Sequence, residues 1–259
     1  MPYASSPGAD VFYSDTGGSG PALVLAHGFL MDSSMFRPQI DALGDQVRIV
    51  AWDARGHGQT TDSGRPFTYW DLALDALAVM DAAGVGHAFV GGMSQGGFSA
   101  LRMALTAPAR VDGLVLIGTT AAACAPGDAA GYRALFDAWF SEAPLAPVAE
   151  GLAGQLIGGT AADRAPWIAG WLASDRRRIA VASDCLIARD DVTERLGQIT
   201  CPSLVIRGGQ DQAFDRAAAD ALCAGLPAAH ELIEVPGAGH AVTWTDPDPA
   251  NAAIAAFVR

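Results

Sequence analysis

The stretch AFVGGMSQGG, residues 88–97, decides the fold prediction. The apolar run Ala88–Gly92 predicts a β-strand, and the pattern of Gly96–Ala107 predicts a helix that begins almost at once. Glycines two positions before and two positions after Ser94 leave room for a sharp turn, on which a serine hydroxyl is exposed above the sheet. The strand, the turn and the helix together indicate that Ser94 is a nucleophile.

Short apolar runs and helical patterns alternate on both sides of this stretch, which is typical of βαβ units. The apolar runs are continuous, as expected of strands covered on both faces. We therefore predict an α/β fold with a mostly parallel, doubly wound sheet of about eight strands. The predicted strands are Val11–Ser14, Ala22–Ala26, Arg48–Trp52, Ala88–Gly92, Gly113–Ile117, Ser203–Arg207 and Glu231–Val235. The predicted flanking helices are Tyr69–Ala83, Gly96–Ala107, Arg216–Ala224 and Pro249–Val258.

Residues 121–199 interrupt this alternation, because they contain helical patterns but no convincing strand. The helices predicted there are Tyr132–Phe140, Val148–Ile157, Trp167–Ala173 and Arg177–Ile187. We predict a helical lid at 121–199, inserted late in the chain over a core made of residues 1–120 and 200–259. Trp139 and Phe140 are candidates for substrate contact under this lid, and packing within the lid itself explains them equally well.

A serine hydroxyl needs a base to take its proton, and the base needs a carboxylate to orient it. His240 ends the loop PGAGH after the last predicted strand, at the sheet edge where open α/β sheets place their sites. Asp211 follows the strand Ser203–Arg207 at the same edge. Asp215 is the rival, but an acid at a helix start is favourable for local reasons alone. We predict a triad of Ser94, Asp211 and His240, in that chain order.

The composition of the chain restricts the classes of binding partner that we expect. The 259 residues carry a net charge of −12, which argues against a nucleic-acid partner, and no apolar run is long enough for a membrane span. The four cysteines lack metal-ligand spacing, so we predict structural thiols in a reducing compartment, no metal and no cofactor. The first residues lack a signal-peptide pattern, so we expect a cytoplasmic protein that acts on a small molecule, with homo-oligomer formation left open.

The order and spacing of the motifs resemble those of the α/β-hydrolase superfamily over essentially the whole chain. The motifs that carry the resemblance are HGF at 27–29, DARGHG at 53–58, GMSQGG at 92–97, GQD at 209–211 and GH at 239–240. The resemblance implies an oxyanion hole made of the backbone N–H groups of Phe29 and Gln95. It also implies that residues 53–58 form a structural turn, in which His57 transfers no proton.

Three departures from relatives restrict the chemistry. A serine at position 94 speaks against a haloalkane dehalogenase, which uses a carboxylate nucleophile. The chain has no HGGG loop, so the oxyanion hole of the hormone-sensitive-lipase type is not expected. Gln95 stands where many relatives carry Met, Leu or Ile, and its side chain either hydrogen-bonds a substrate or points into polar surroundings at the helix start.

These features predict a serine hydrolase that cleaves small to medium apolar carboxylic esters through an acyl-enzyme. Residues 89–123 also resemble 3-oxoadipate enol-lactonases and aryl esterases, so a lactonase is the nearest alternative. Perhydrolysis, as in cofactor-free haloperoxidases, and C–C bond hydrolysis would use the same residues. A ligand sensor that turns over slowly is the alternative from a different class of protein.

Overall fold

The computed structural model describes residues 2–230 and 232–259. Within them, nine strands form one sheet in the order β1-β2-β4-β3-β6-β7-β8-β9, and β5 pairs with β2 at the side. Every pairing of β1 and β2 is antiparallel, and the pairings from β4 to β9 are parallel. The strands are β1 Tyr3–Ser6, β2 Ala9–Asp15, β3 Ala22–Ala26, β4 Arg48–Trp52, β5 Thr61–Asp62, β6 Ala88–Met93, β7 Val111–Ile117, β8 Ser203–Gly208 and β9 Ile233–Val235.

Helices cover the sheet and fill the segment between β7 and β8. They are α1 Arg37–Leu43, α2 Tyr69–Ala82, α3 Gln95–Thr106, α4 Pro126–Phe140, α5 Ala146–Leu156, α6 Ala161–Ala173, α7 Ala180–Ile187, α8 Arg216–Gly225, α9 Val242–Thr245 and α10 Pro247–Phe257. Short 3₁₀ turns occupy Ser33–Phe36, Pro108–Arg110, Arg176–Ile179 and Thr193–Gln198. None of the helices in the described ranges combines the length and the apolar character needed to cross a bilayer.

The centre of the sheet is apolar on both faces. Strands β3, β6 and β7 are almost entirely buried, and helix α3 is buried over its first ten residues. Burial on all sides explains why these strands show continuous apolar runs and no alternation. The prediction of an α/β fold with a mostly parallel sheet of about eight strands is confirmed.

Four elements in the described part of the chain were not predicted from the sequence: β1, β5, α1 and the four-residue helix α9. The strands β1 and β5 are short and carry no run of large apolar residues, so their pairing with β2 defines them more than their own composition. Helix α1 buries the polar side chain of Gln39, which donates to the Thr243 carbonyl at 2.8 Å and to Asn251 at 2.9 Å. A helix whose buried face is partly polar gives no apolar stripe to recognise.

The final predicted strand also differs from the observed one. The structure has β9 at Ile233–Val235, and Glu231, where the predicted strand begins, lies outside the described residues. Between β7 and β8, residues 121–199 contain helices α4 to α7 and no strand. Helices α4 to α7 therefore follow β7, which ends just before Gly118, and they precede β8, which ends shortly before Asp211.

Candidate active site

The parallel register brings the carboxyl ends of five strands to one edge of the sheet. Ala26 of β3 pairs with Gly92 of β6, and Ile117 of β7 pairs with Met93 of β6 and Ile206 of β8. The predicted site residues follow directly after these ends. The structure thus gathers the turns that carry Phe29, Ser94, Asp211 and His240 at a single edge, although they are far apart in the sequence.

Ser94 lies on a strained turn between β6 and α3. Its φ of 54° and ψ of −115° are backbone angles that residues other than glycine rarely adopt. Cβ atoms added at Gly92 or Gly96 would collide with the carbonyl oxygen of Ala26, so glycine is required at both positions. The turn is further held by Thr119, whose hydroxyl donates to the Ser94 carbonyl oxygen at 2.7 Å. The sequence prediction of a sharp strand-to-helix turn therefore agrees with the backbone geometry.

His240 and Asp211 are in direct contact. The distance between His240 Nδ1 and Asp211 Oδ2 is 2.8 Å, and both side chains are almost completely buried. Gly118, with φ of 48°, follows β7 beside this pair, and a Cβ there would lie 3.1 Å from Asp211 Oδ2 and 3.2 Å from His240 Nδ1. The absence of a side chain at Gly118 leaves the space that the imidazole and the carboxylate occupy.

The Asp211 carboxylate is stabilised in its charged form. Burial alone would raise the pKa of Asp211, but the hydrogen bond and charge of His240 outweigh burial and hold the pKa below its ordinary value. The backbone N–H groups of Ala213 and Phe214 donate to Oδ1 at 2.8 and 3.2 Å and act in the same direction. The Oδ2 atom is thus left to contact Nδ1 of His240, so the contact with the carboxylate does not use Nε2 of the imidazole.

Asp215, the rival carboxylate, has a different contact. It is the N-cap of α8, and its side chain accepts a hydrogen bond from the backbone N–H of Ala218 at 2.9 Å. This is the local role that a helix start favours. Of the two acids, Asp211 is the one that lies against His240.

The backbone N–H groups of Phe29 and Gln95 both lie at this edge. In residues 2–230 and 232–259, neither the N–H of Phe29 nor the N–H of Gln95 donates a hydrogen bond to the protein. Gln95 is the first residue of α3, where N–H groups have no intrahelical partner. Since most buried backbone donors are paired, these two N–H groups are free to bind an acceptor that the described residues do not supply. They are the two donors predicted from the sequence.

The residue after Phe29, Leu30, has an unusual conformation and contacts His57. Leu30 has φ of 63°, and its N–H donates to Nε2 of His57 at 3.1 Å. Nε2 of His27 similarly accepts from the N–H of Ala54 at 2.9 Å. A nitrogen that accepts from a backbone N–H carries no proton, so the His57 imidazole is neutral at this position. Burial lowers the pKa of His57 to about 3, and the nearby His27 adds to this effect.

Aromatic side chains pack beside Phe29 and beside the imidazole of His240. Phe29 packs edge-on against Phe136 of α4, with ring centroids 5.5 Å apart, and Tyr132 stacks on Phe136 at 6.2 Å. On the other side, Phe214 lies 5.8 Å from the His240 ring and 5.9 Å from Phe98 of α3 (both between centroids). These contacts make the surroundings of the site largely apolar.

Trp139 and Phe140, the two predicted substrate contacts, lie at different depths. Trp139 is buried, donates from its indole N–H to the Arg176 carbonyl at 3.2 Å and packs edge-on against Trp171. Phe140 is half-buried and stacks on Phe136 with centroids 6.1 Å apart. Phe136 is therefore the residue of α4 that packs on Phe29, whereas Phe140 packs on Phe136 and Trp139 packs on Trp171 of α6.

The Gln95 side chain is buried beside α2. Its Oε1 accepts from the Tyr69 hydroxyl at 3.4 Å, and its Nε2 has no hydrogen-bond partner within the described residues. A buried amide donor without an acceptor costs about 1–3 kcal/mol. The side chain thus points toward a polar neighbour at the helix start, and one of its two polar atoms stays unsatisfied.

Sequence reasoning missed several residues that shape this edge. Thr119, Phe136 and Trp171 all contact the turns that carry Ser94 or Phe29, and Trp171 donates from its indole N–H to the Leu30 carbonyl at 2.6 Å. The helical segment has no motif, so contacts of α4 and α6 depend on tertiary packing alone. The position of Thr119, directly after β7, was the one available signal.

Comparisons with known proteins assign the chain to a family. The sequence profile of the α/β hydrolase fold family matches residues 21–163, which is more than half of the chain. The chain belongs to the α/β-hydrolase family. The prediction of this superfamily, with esterase-like and enol-lactonase-like relatives, is confirmed.

Relatives and solved structures agree with this assignment. The chain is 28% identical to 3-oxoadipate enol-lactonase 2 of Acinetobacter baylyi over 92% of this chain and 89% of that protein. It is 30% identical to a pimeloyl-[acyl-carrier protein] methyl ester esterase of Xanthomonas oryzae pv. oryzae over 94% of this chain and 97% of that protein. The enol-lactonase structure from Burkholderia xenovorans superimposes with a TM-score of 0.88 at 25% identity, covering 99% of each chain. The relatives named here are hydrolases of esters and enol-lactones.

Proposed function

We propose that this chain is a carboxylic-ester hydrolase with Ser94 as nucleophile, His240 as base and Asp211 as the carboxylate that orients the base. The observation that carries the proposal is the pair of free N–H groups at Phe29 and Gln95, on the turns that hold the strained residues Leu30 and Ser94. Strain and unsatisfied donors persist where function requires them. The contact between His240 and Asp211 supports the same assignment.

The proposed reaction has two stages. The Ser94 oxygen attacks the acyl carbon while Nε2 of His240 takes the hydroxyl proton, and the Phe29 and Gln95 N–H groups hold the oxyanion. His240 returns the proton to the departing alcohol, which leaves an acyl-enzyme. Water then attacks the acyl carbon, with its proton passing to His240, and the acid is released with Ser94 restored.

The proposed substrate is a small to medium apolar ester. Phe29, Phe136, Tyr132 and Phe214 make the surroundings of the site apolar, and an unpaired charge buried there would be costly. We also propose that residues 121–199 act as a lid over a core of 1–120 and 200–259, because Phe136 of this segment packs on Phe29.

A lactone is the second candidate substrate, and the likeness to enol-lactonases favours it. Ser94, His240 and Asp211 would have the same roles, since a lactone is an ester whose alcohol stays tethered to the acyl group. After ring opening the alkoxide takes its proton from His240 as before, and water releases the hydroxy acid.

The proposal is tested by steady-state hydrolysis of p-nitrophenyl acetate, butyrate and octanoate beside a set of five- and six-membered lactones. We expect many turnovers, and labelling of Ser94 by a fluorophosphonate that is lost in His240→Ala. We expect Ser94→Ala to lose both the turnover and the labelling. Ser99→Ala is the matched control, because Ser99 is a buried serine of α3 whose hydroxyl donates to the Gln95 carbonyl at 3.3 Å.

Three results would contradict the proposal. Equal labelling of the wild type and His240→Ala would remove His240 as the base. A single slow turnover with the product retained would instead indicate a ligand sensor. Full activity in Ser94→Ala would place the nucleophile elsewhere.

A further inference from the structure

The turn between α5 and α6 lies directly against the loop that carries His240. A Cβ atom built on Gly158 would lie 3.1 Å from the Cα atom of Gly239, and one built on Gly239 would lie 3.1 Å from the Cα atom of Gly158. Both distances are shorter than the ordinary contact between carbon atoms, which is about 3.5–4.0 Å. The two backbones therefore meet with little room for a side chain between them, one residue before the proposed base.

The way in which α5 ends accounts for the conformation of Gly158 but not for its contact with Gly239. The N–H of Gly158 donates to the Ala153 carbonyl at 3.2 Å, in an arrangement that commonly closes a helix. The φ angles are 74° at Gly158 and 58° at Gly159, in a region that residues with a Cβ seldom adopt. Gly159 in turn packs on α9, where a Cβ added to it would lie 2.7 Å from Cγ2 of Thr245. The turn thus contacts the chain on both sides of the proposed base.

The loop that ends at His240 is also held by the turn that follows β8. The N–H of Gln210 donates to the Ala238 carbonyl at 2.8 Å. A Cβ at Gly208, the last residue of β8, would collide with the carbonyl oxygen of Gly239. The loop is therefore restrained by the core as well as by the α5–α6 turn, and a shift of Gly239 is passed on to His240, the next residue.

This contact is closed to solvent. Ile157, Ala238 and Ala241 are completely buried, and His240 is almost completely buried. Protein interiors are close-packed and transmit displacements because few voids are present to absorb them. A side chain added at the contact is therefore expected to move the loop.

We infer that Gly158 is a positioning residue for the base: because it has no side chain, the α5–α6 turn holds Gly239 and so sets where Nε2 of His240 lies relative to the Ser94 hydroxyl. The inference rests on the proposed function, in which His240 takes the proton of Ser94. It gives residues 121–199 a second role, since the segment that we propose as a lid also places the base. The base is in its active position only while the α5–α6 turn is docked.

Gly158→Asn tests this inference, because Asn adds a side chain at the contact and tolerates a positive φ better than most residues. A misplacement of 1 Å can cost about 10²-fold in rate, and relief of the 3.1 Å contact needs a smaller shift than that. We expect kcat for p-nitrophenyl butyrate to fall about tenfold with KM within about twofold, the pattern of an interaction that acts in the transition state. Gly158→Ala, which adds only the Cβ, should show a smaller loss of kcat.

Gly84→Asn is the matched control for the conformational cost. Gly84 follows α2 with φ of 67°, and a Cβ there would meet no atom of residues 2–230 and 232–259 within 4 Å, its chain neighbours aside. The control should share the cost of a positive φ and leave kcat and KM unchanged. Urea denaturation checks that each variant is folded under the conditions of the assay.

A readout that needs no activity separates this inference from the proposed function. The imidazole ¹H–¹⁵N resonance of His240, assigned by its loss in His240→Ala, is followed in the wild type and the variants. We expect it to shift in Gly158→Asn and Gly158→Ala and to stay in place in Gly84→Asn. An unmoved resonance or an unchanged kcat in folded Gly158→Asn, or equal losses of kcat in Gly158→Asn and Gly84→Asn, would overturn the inference. An absence of ester turnover in the wild type would contradict the proposed function, and the resonance would then test the contact alone.

Discussion

At the scale of single residues, strain and unpaired donors coincide. In residues 2–230 and 232–259, Ser94 and Leu30 are the two residues other than glycine with positive φ, and each adjoins a free N–H. Conformations of this kind cost about 1–3 kcal/mol each. The turn at Ser94 was predictable because glycines flank it. The strain at Leu30 was not, since it arises from the contact with His57 across 27 positions of the chain.

Replacing Asp211 by Asn tests the proposed role of this carboxylate in orienting His240. The amide is the same size but donates to Nδ1, so Nε2 of His240 keeps its proton and can no longer accept one from Ser94. We expect kcat for an ester to fall about 10⁴-fold. Asp215→Asn is the control, because Asn is an equally good N-cap and α8 should stay intact. A larger loss in Asp215→Asn than in Asp211→Asn would reverse the assignment of the two acids.

At the scale of secondary-structure elements, the buried strands were the ones that the sequence predicted well. The strands β3, β4, β6, β7 and β8 were predicted to within about two residues because continuous apolar runs define them. The edge strand β1 and the helix α1 were missed, since pairing with β2 and a buried Gln39 hold them in place. The helices of 121–199 were predicted as helices, but their contacts with the site were not. The contact of Phe136 with Phe29 depends on how residues 121–199 fold onto the rest of the chain. A local sequence pattern does not predict that tertiary packing.

Trp171→Phe tests how helix α6 supports the loop after β3. The change removes the 2.6 Å hydrogen bond to the Leu30 carbonyl and keeps most of the aromatic packing. We expect a loss of about 1 kcal/mol in the free energy of unfolding. We also expect about a tenfold drop in kcat, because the Phe29 N–H is less well placed.

Trp244→Phe is the control for this prediction, because it removes an indole hydrogen bond of 2.9 Å to Asp163, away from the Leu30 carbonyl. Chemical denaturation and ester kinetics on both variants separate the two effects. Similar stability losses with a lower kcat in Trp171→Phe alone support the link. Equal kcat values in the two variants would argue against it.

At the scale of the whole molecule, the net charge of −12 acts on any charged substrate. A negative field opposes the approach of an anionic ester, and salt screens it. Raising the ionic strength from about 0.01 M to about 0.1 M shortens the Debye length from about 30 Å to about 10 Å. We expect kcat/KM for a p-nitrophenyl hemisuccinate to rise roughly threefold over this range, and that for p-nitrophenyl butyrate to stay constant. A parallel response of the two esters would show that the field has no part in binding.

His57 links the stability of the whole fold to pH. Burial, with His27 nearby, lowers the pKa of His57 to about 3 in the folded protein, against about 6.5 in an unfolded chain. The unfolded state therefore binds more protons between these values, and folding stability is full above pH ~6.5 and falls as the pH drops toward 3. The slope from this one group reaches about 1.4 kcal/mol per pH unit.

His57→Gln should therefore flatten the acid side of the stability curve. The variant is expected to be less stable than wild type at pH 7, because the Leu30 N–H loses its imidazole acceptor, and the gap should narrow by roughly 2–3 kcal/mol between pH 6.5 and 4.5. Urea denaturation at a series of pH values measures this. His230→Gln is the matched control, since the side chain of His230 is exposed to solvent. Parallel curves for wild type and His57→Gln would mean that His57 is protonated in the folded protein, which its contact with the Leu30 N–H opposes.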